Sequence, residues 1–242
     1  ILKKFNFQNL LIFYPSLRIY FAAKIAECQE TPTPKIQKAR VSVFAGDHGV
    51  ARAESVSPYP PSVTALMVKT FKAGKAAITS IADANNVEVE VINCGVEGMT
   101  QEDTLEDSTI SCFYEAFNNL PTKNLKNEAA MSEEELSKAM EAGYKTALRA
   151  AADGVSIAGA GEMGIGNTTS ATAIFCKVLD LSPSDITGPG TGLDQEGVLR
   201  KTNVVENAIN RISAVTNIRE TLRELGGFEI AAITEYYLQL TK

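Results

Sequence analysis

Apolar residues recur along this chain with two periods, and the switching between them outlines strands interleaved with helices. Positions 41–45, β-branched and aromatic and stopped by Gly46, read as a buried strand. Val63, Leu66, Met67 and Phe71 then fall at helical spacing behind Pro60 and Pro61, because proline is tolerated in a first turn whose N–H groups have no partner anyway. That helix is expected to run on, interrupted near Gly74, to Asp83. A second strand is predicted over 87–92 and a further one over 109–114, with the rest of 95–130 mostly loop. Ser132 followed by Glu133, Glu134 and Glu135 is a capping-box signature, and Leu136, Met140, Tyr144, Ala147 and Leu148 continue it as an amphipathic helix. Positions 155–158 predict a short buried strand. Asn167 is expected to cap a helix reaching Leu179, Asp194 another over 198–212, and helical periods return around Leu222 and over 230–240. Alternating strands and helices predict an α/β fold, a doubly wound and mostly parallel sheet flanked by helices. The aromatic-rich lead, punctuated by Thr31-Pro-Thr-Pro34, is set apart as a small helical or irregular segment, 1–35, before an α/β domain over 36–242.

Composition narrows the partners. The chain has 242 residues, 45% of them hydrophobic and 21% charged, which is enough to bury a core without staples. A net charge of −6 is opposite in sign to the footprint of nucleic-acid binders, so DNA and RNA are set aside. The apolar run at 10–14 is far shorter than the ~20 residues of a membrane span. Cys28, Cys94, Cys112 and Cys176 are scattered without a CxxC pair, and His48 is the single histidine. That pattern argues against a metal site and for a reducing compartment, the cytoplasm. The first residue is Ile1 rather than Met, as expected of a truncated or processed start.

Two glycine-rich stretches carry the chemistry. Gly159-Ala-Gly-Glu-Met-Gly164 spells GxGxxG, yet the acid about 20 residues on, Asp180, ends a helix where the dinucleotide pattern needs a strand. An NAD(P)-binding oxidoreductase is therefore the weaker alternative. A small-residue turn before a helix N-terminus still suits an anion: Gly164 and Gly166 let the backbone approach, and Asn167, Thr168 and Thr169 open the helix. A purely structural βα turn is the competing reading. Gly188-Pro-Gly-Thr-Gly-Leu193 is a second such turn, with Gly190, Thr191 and Gly192 ahead of a helix in which Lys201 lies about two turns along. Lys201 is either a point charge for a phosphate or a solvated surface lysine. Glu162 either meets ribose hydroxyls and developing positive charge, or is an acid complementing a helix dipole. In Gly46-Asp47-His48-Gly49, His48 is expected to be structural and bonded to backbone, since neighbouring side chains such as Asp47 rarely orient each other. Ser57-Pro-Tyr59-Pro60 offers a hydroxyl and an aromatic face, or is a rigid prolyl turn.

Together VFAGDHGVA at 43–51, VSPYPPSVTALMV at 56–68, INCGVEG at 92–98, GEMGIGNTTSATA at 161–173, GPGTGLDQEGVLRK at 188–201 and LGGFEIAA at 225–232 resemble the nicotinate-nucleotide–dimethylbenzimidazole phosphoribosyltransferases of cobalamin lower-ligand assembly. The resemblance implies a homodimer without metal or redox cofactor. The implied reaction passes the 5-phosphoribosyl group of nicotinate mononucleotide to 5,6-dimethylbenzimidazole, giving α-ribazole 5′-phosphate and nicotinate with inversion. It implies that Glu162 is catalytic, that Glu162 and Met163 line the base and ribose region, and that Ser57 and Tyr59 border the benzimidazole. Phosphate and ribose fall to Gly164, Gly166, Asn167, Thr168, Gly190, Thr191, Gly192 and Lys201. Leu66 stands where relatives often carry glutamine, Pro189 where they carry arginine and Glu235 where glycine is expected. The family's general base, a glutamate in a Gly-Glu-Gly-like segment towards the C-terminus, is not found in this sequence. A catalytically impaired nucleotide- or azole-binding protein is the alternative function.

Overall fold

The computed structural model describes residues 15–99, 110–114, 120–212 and 217–241. Two compact units divide the chain, the first ending at Gln37 and the second beginning at Lys38. The first contains helix α1, Pro15–Cys28. It ends in a turn where Gln29 clasps Lys35, its amide donating to the Lys35 carbonyl and accepting from the Lys35 N–H, both at 2.9 Å.

The second unit is built on four parallel strands: β1 (Ala39–Ala45), β2 (Glu88–Asn93), β3 (Ser111–Tyr114) and β4 (Ile157–Met163). Their order across the sheet is β3-β2-β1-β4. The chain winds outward from β1 to β3 and then returns to the other side of β1, so a topological switch point lies between β1 and β4. In such sheets ligands bind at the carboxyl end of that crevice.

Successive side chains of a strand face opposite ways, and both faces of this sheet are covered. Phe44 of β1 and Ile92 of β2 pack against α5 (Glu133–Ala152) and α10 (Phe228–Leu240) through Leu136, Ala139, Ala231 and Tyr236. Val43, Ala45 and Val91 face the other way, onto Val68 and Phe71 of α3 (Val63–Lys72) and Ala76 at the start of α4 (Ala77–Ala84). A third cluster joins Val50 of the short helix α2 (Gly49–Ala53) to Ala173 and Cys176 of α6 (Asn167–Leu179). Val204 and Ala208 of α8 (Gln195–Arg211) and Leu225 of α9 (Ile218–Leu225) complete it. The one-turn helix α7 (Pro183–Ile186) links α6 to α8.

Local signals place most of these elements. The capping box at Ser132 forms in both directions, with its N–H donating to Glu135 at 2.7 Å and its hydroxyl accepting from the Glu135 N–H at 3.2 Å. Asp194 caps α8, its carboxylate accepting from Gly197 N–H at 2.8 Å. Gly74, at φ 67°, separates α3 from α4. The predicted strand over 109–114 is found at Ser111–Tyr114, while Thr109 lies outside the described residues. So do positions 10–14 and part of the predicted loop.

Two expectations are corrected. The strand predicted at 155–158 instead spans Ile157–Met163, so Gly159 and Gly161 belong to a strand and not to a loop. Pairing with β1 outweighs the low strand preference of glycine: Gly159 sits opposite Val41 and Gly161 opposite Val43 in the parallel ladder. Asn167 does not cap α6. Gly166 occupies that position at φ 99°, a left-handed conformation that glycine adopts without strain, and Asn167 is the first helical residue.

Candidate active site

Glu162 and Met163 are the last two residues of β4, opposite Phe44 and Ala45 of β1. Glu162 follows Phe44 towards the α10 side of the sheet, whereas Met163 packs with the Val43 and Val91 cluster on the other side. The Glu162 carboxylate accepts a hydrogen bond from the Asn167 side chain, so the strand end and the first turn of α6 are tied together. The reading of Glu162 as an acid inside a helix N-terminus does not hold, because it lies in the strand. Its side chain reaches solvent, yet the crowding around it desolvates the carboxyl and raises its pKa. The charge of Glu229 adds to that rise and His48 opposes it.

The two glycine-rich turns converge. A Cβ on Gly190 would lie 3.1 Å from Thr168 Oγ1 at the start of α6 and 3.3 Å from Lys201 Nζ. Lys201, only 1% exposed, reaches back from α8 to donate to Thr168 Oγ1 at 2.8 Å and to the Gly188 carbonyl at 3.3 Å. This is no solvated lysine. It has no carboxylate partner among the described residues, and burial alone pulls its pKa below the usual lysine value. A buried ammonium beside the second glycine turn and the first turn of a helix has the chemistry that suits an anion.

The prolyl turn closes the same region from the side of α3. Ser57 Oγ and Thr191 Oγ1 are 3.0 Å apart, and Ser57 also accepts from Tyr59 N–H at 3.1 Å. Tyr59 is 52% exposed, leaving its ring available to a flat ligand. Gly164 and Gly192 lie in the two turns, Gly164 buried against the carbonyl of Gly46 and Gly192 in open space at φ 114°. The expected site residues thus gather at the carboxyl end of the sheet, with Glu162 and Met163 at the end of β4 itself and on opposite faces.

His48 departs from expectation. Its ring is bonded not to backbone but to Glu229 at the start of α10, with Nε2 and Oε1 2.8 Å apart and both side chains fully buried. Asp47 does not orient the ring; one of its oxygens accepts from Glu97 N–H at 2.8 Å, and burial raises its pKa. Glu229 is not among the residues that the sequence motifs single out. Its signal is a lone acid within Gly226-Gly-Phe-Glu-Ile-Ala-Ala232, where an otherwise apolar helix start has no solvent-facing reason to carry it.

Fold and site together define an α/β protein with a buried lysine beside a glycine turn and a carboxylate at its topological switch point. The chain belongs to the phosphoribosyltransferase family whose model, DBI_PRT, matches residues 19–242. It is 39% identical over 220 residues to the nicotinate-nucleotide–dimethylbenzimidazole phosphoribosyltransferase of Chromobacterium violaceum, covering 90% of this chain and 61% of that protein. To the Deinococcus radiodurans protein of the same name it is 42% identical over 218 residues, covering 88% and 57%. Among solved structures it is similar to CobT from Thermus thermophilus, with a TM-score of 0.81 and 38% identity, covering 90% of this chain and 63% of that one. The chain spans about three fifths of the length of the curated relatives it matches.

Proposed function

We propose that this chain carries the nucleotide site of an enzyme that transfers the 5-phosphoribosyl group of nicotinate mononucleotide to 5,6-dimethylbenzimidazole or a related base. The products are α-ribazole 5′-phosphate and nicotinate. The observation that carries the reading is Lys201, a buried cation held between the second glycine turn and Thr168 at the start of α6, with no carboxylate among the described residues to neutralise it. A 5′-phosphate fits that pocket by charge, with backbone N–H groups and the Thr168 hydroxyl as further donors. Holding the phosphate there directs the ribose towards Glu162 at the end of β4. As the C1′–N bond to nicotinate breaks, positive charge develops on the sugar, and an ionised carboxylate beside it stabilises that charge. The incoming nitrogen bonds C1′ from the opposite face, and its proton passes to a general base, the role the resemblance gives to a glutamate further towards the C-terminus. Ser57 and Tyr59 border the azole in this reading, Met163 lies under it, and the phosphate and ribose fall to Gly164, Gly166, Asn167, Thr168, Gly190, Thr191, Gly192 and Lys201.

Names of the relatives support the substrates, and the shared fold supports the placement. A homodimer is part of the same proposal, with the exposed Phe175, Val178 and Leu179 of α6 as apolar surface for a contact. The cytoplasm is proposed from the sparse cysteines, of which Cys176 is a buried thiol. No helix among the described residues is long and apolar enough to cross a membrane.

Calorimetry with nicotinate mononucleotide, followed by chromatography of nicotinate after adding dimethylbenzimidazole, tests the reading. The expected result is binding, and azole-dependent nicotinate release that Glu162→Gln reduces by about 10²-fold or more. Binding without release points to the ligand-binding alternative. No binding at millimolar nucleotide overturns both.

A further inference from the structure

On the face of the sheet towards which Glu162 projects lies a buried polar pair that phosphate and ribose binding leave unused. His48 and Glu229 are 181 residues apart in sequence and meet at 2.8 Å with no solvent access. Two of their atoms, His48 Nδ1 and Glu229 Oε2, are buried without a hydrogen-bond partner among the described residues. Glycines wall the pair: a Cβ on Gly46 would lie 2.8 Å from Glu229 Oε2, and one on Gly227 would lie 2.6 Å from both Glu229 oxygens and against the His48 ring. A pair kept only to join β1 to α10 would cost less as well-packed hydrophobic residues, since buried ion pairs seldom stabilise more than an apolar replacement does. Its location points elsewhere, because both residues sit at the switch point, His48 just past β1 and Glu229 in the first turn of α10, on the face of the sheet towards which Glu162 projects.

We propose that His48 and Glu229 act as a positioning pair for Glu162, setting from the same face of the sheet the electrostatic surroundings in which its carboxylate meets the substrate. Glu162's role at the sugar rests on the function proposed above; the coupling among the three residues does not. The charged groups facing the pair are Asp47 from the loop after β1 and Glu162 from β4. Burial drives the imidazole towards its neutral form, and Glu229, Asp47 and Glu162 outweigh it, so His48 holds its proton above the usual histidine range. The result is a buried imidazole bonded to one carboxylate and within electrostatic reach of a second. Glu229 and His48 push on Glu162 in opposite directions, so the pair as a whole sets the balance.

The test is the titration of Glu162 in the free, ligand-less chain labelled with glutamate carrying a ¹³C carboxyl, its signal assigned by its loss in Glu162→Gln. In Glu229→Gln, which keeps the shape and a hydrogen bond, the Glu162 midpoint is expected to fall by about one pH unit, the scale on which closely interacting groups couple. His48→Gln, which takes away the partner that opposes Glu229, is expected to move the midpoint as well. Glu90→Gln, which removes a different buried carboxylate, the one bonded to the Ser42 hydroxyl, weakens the fold and leaves the midpoint in place. A folded Glu229→Gln with an unmoved Glu162 midpoint overturns the proposal. Should neither site variant fold, the unsubstituted chain decides: ¹⁵N shifts of the His48 ring must step as Glu162 titrates, and a flat response overturns the proposal equally. Because no ligand is present, failure of nucleotide binding sinks the proposed function and leaves this coupling standing, and the reverse holds too.

Discussion

The two ends of the sheet handle charge in opposite ways. At the amino end, Arg40 of β1 donates to Glu88 at 2.8 Å and to Asp153 at 2.6 Å, and Lys38 reaches Glu88 at 3.0 Å. Just inside, Glu90 accepts from the Ser42 hydroxyl at 2.6 Å. A cavity of about 750 Å³ opens there, but Arg40, Glu88 and Asp153 in its wall already satisfy one another. At the carboxyl end, among the described residues, Lys201 is buried without a carboxylate, and His48 and Glu229 each keep a buried polar atom without a hydrogen-bond partner. Neither end is more charged by sequence in any obvious way. What separates them is completion: one end has closed its interactions internally, and the other holds them open, as sites that await a ligand do. The cavity at the amino end is thus lined by charges that are already paired.

The sharpest way to break this comparison is to overfill the open end. Gly227 is extended at φ −131°, so alanine there introduces no backbone strain, only a methyl group 2.6 Å from the Glu229 oxygens and against the His48 ring. Gly227→Ala is expected to destabilise the chain by about 3 kcal/mol or more, since it combines overpacking with disruption of a buried pair. Urea denaturation followed by circular dichroism measures it. A loss below about 1 kcal/mol would mean that the pair yields easily and is not held in place by its walls.

Next in size is Lys201→Met, which keeps the packing and removes the charge. Nucleotide affinity is expected to fall about 10- to 100-fold, the loss of one charged hydrogen bond at roughly 1.5–3 kcal/mol, measured by calorimetry. Stability should move the other way. Burial lowers the pKa of Lys201 in the folded chain, so folded chains bind its proton less tightly than unfolded ones. That penalty is full below the folded pKa and is relieved as pH rises past it towards the unfolded value. A higher Tm for Lys201→Met at neutral pH, with the gain shrinking in alkali, is the expected signature. A lower Tm at neutral pH would place Lys201 among the internally satisfied groups and erase the contrast.

How far each end is legible in the sequence follows the same division. Ser132 and Asp194 announce their helices because a cap is a contact within three residues, and the glycine turns announce an anion because helix N-termini behave alike everywhere. The extent of β4 is hidden: glycines at 159 and 161 signal a turn locally, and only the neighbouring valines of β1 make them a strand. Lys201 leaves two readings open because burial is decided by packing, not by its place along α8. His48 and Glu229 are hidden most completely. Nothing within a few residues of either names the other, and the backbone-bonded histidine that local reasoning favours gives way to a carboxylate contributed by α10.

The smallest expected effect lies at the closed end, and it decides whether the comparison is about function or merely about charge. Arg40→Gln removes the cation that Glu88 and Asp153 share. Those carboxylates are each close to half exposed, so water and salt compensate much of the loss, as in surface pairs generally. The expected change is a drop in Tm of about 2–4 °C, read by calorimetric scanning, with nucleotide affinity unchanged within about twofold. Affinity must be insensitive because Arg40 opens β1 whereas the anion pocket lies beyond the strand's other end, roughly 20 Å of extended chain away. If Arg40→Gln weakened nucleotide binding as much as Lys201→Met does, the sheet would be transmitting charge along its length, and the carboxyl end would no longer be a site in its own right.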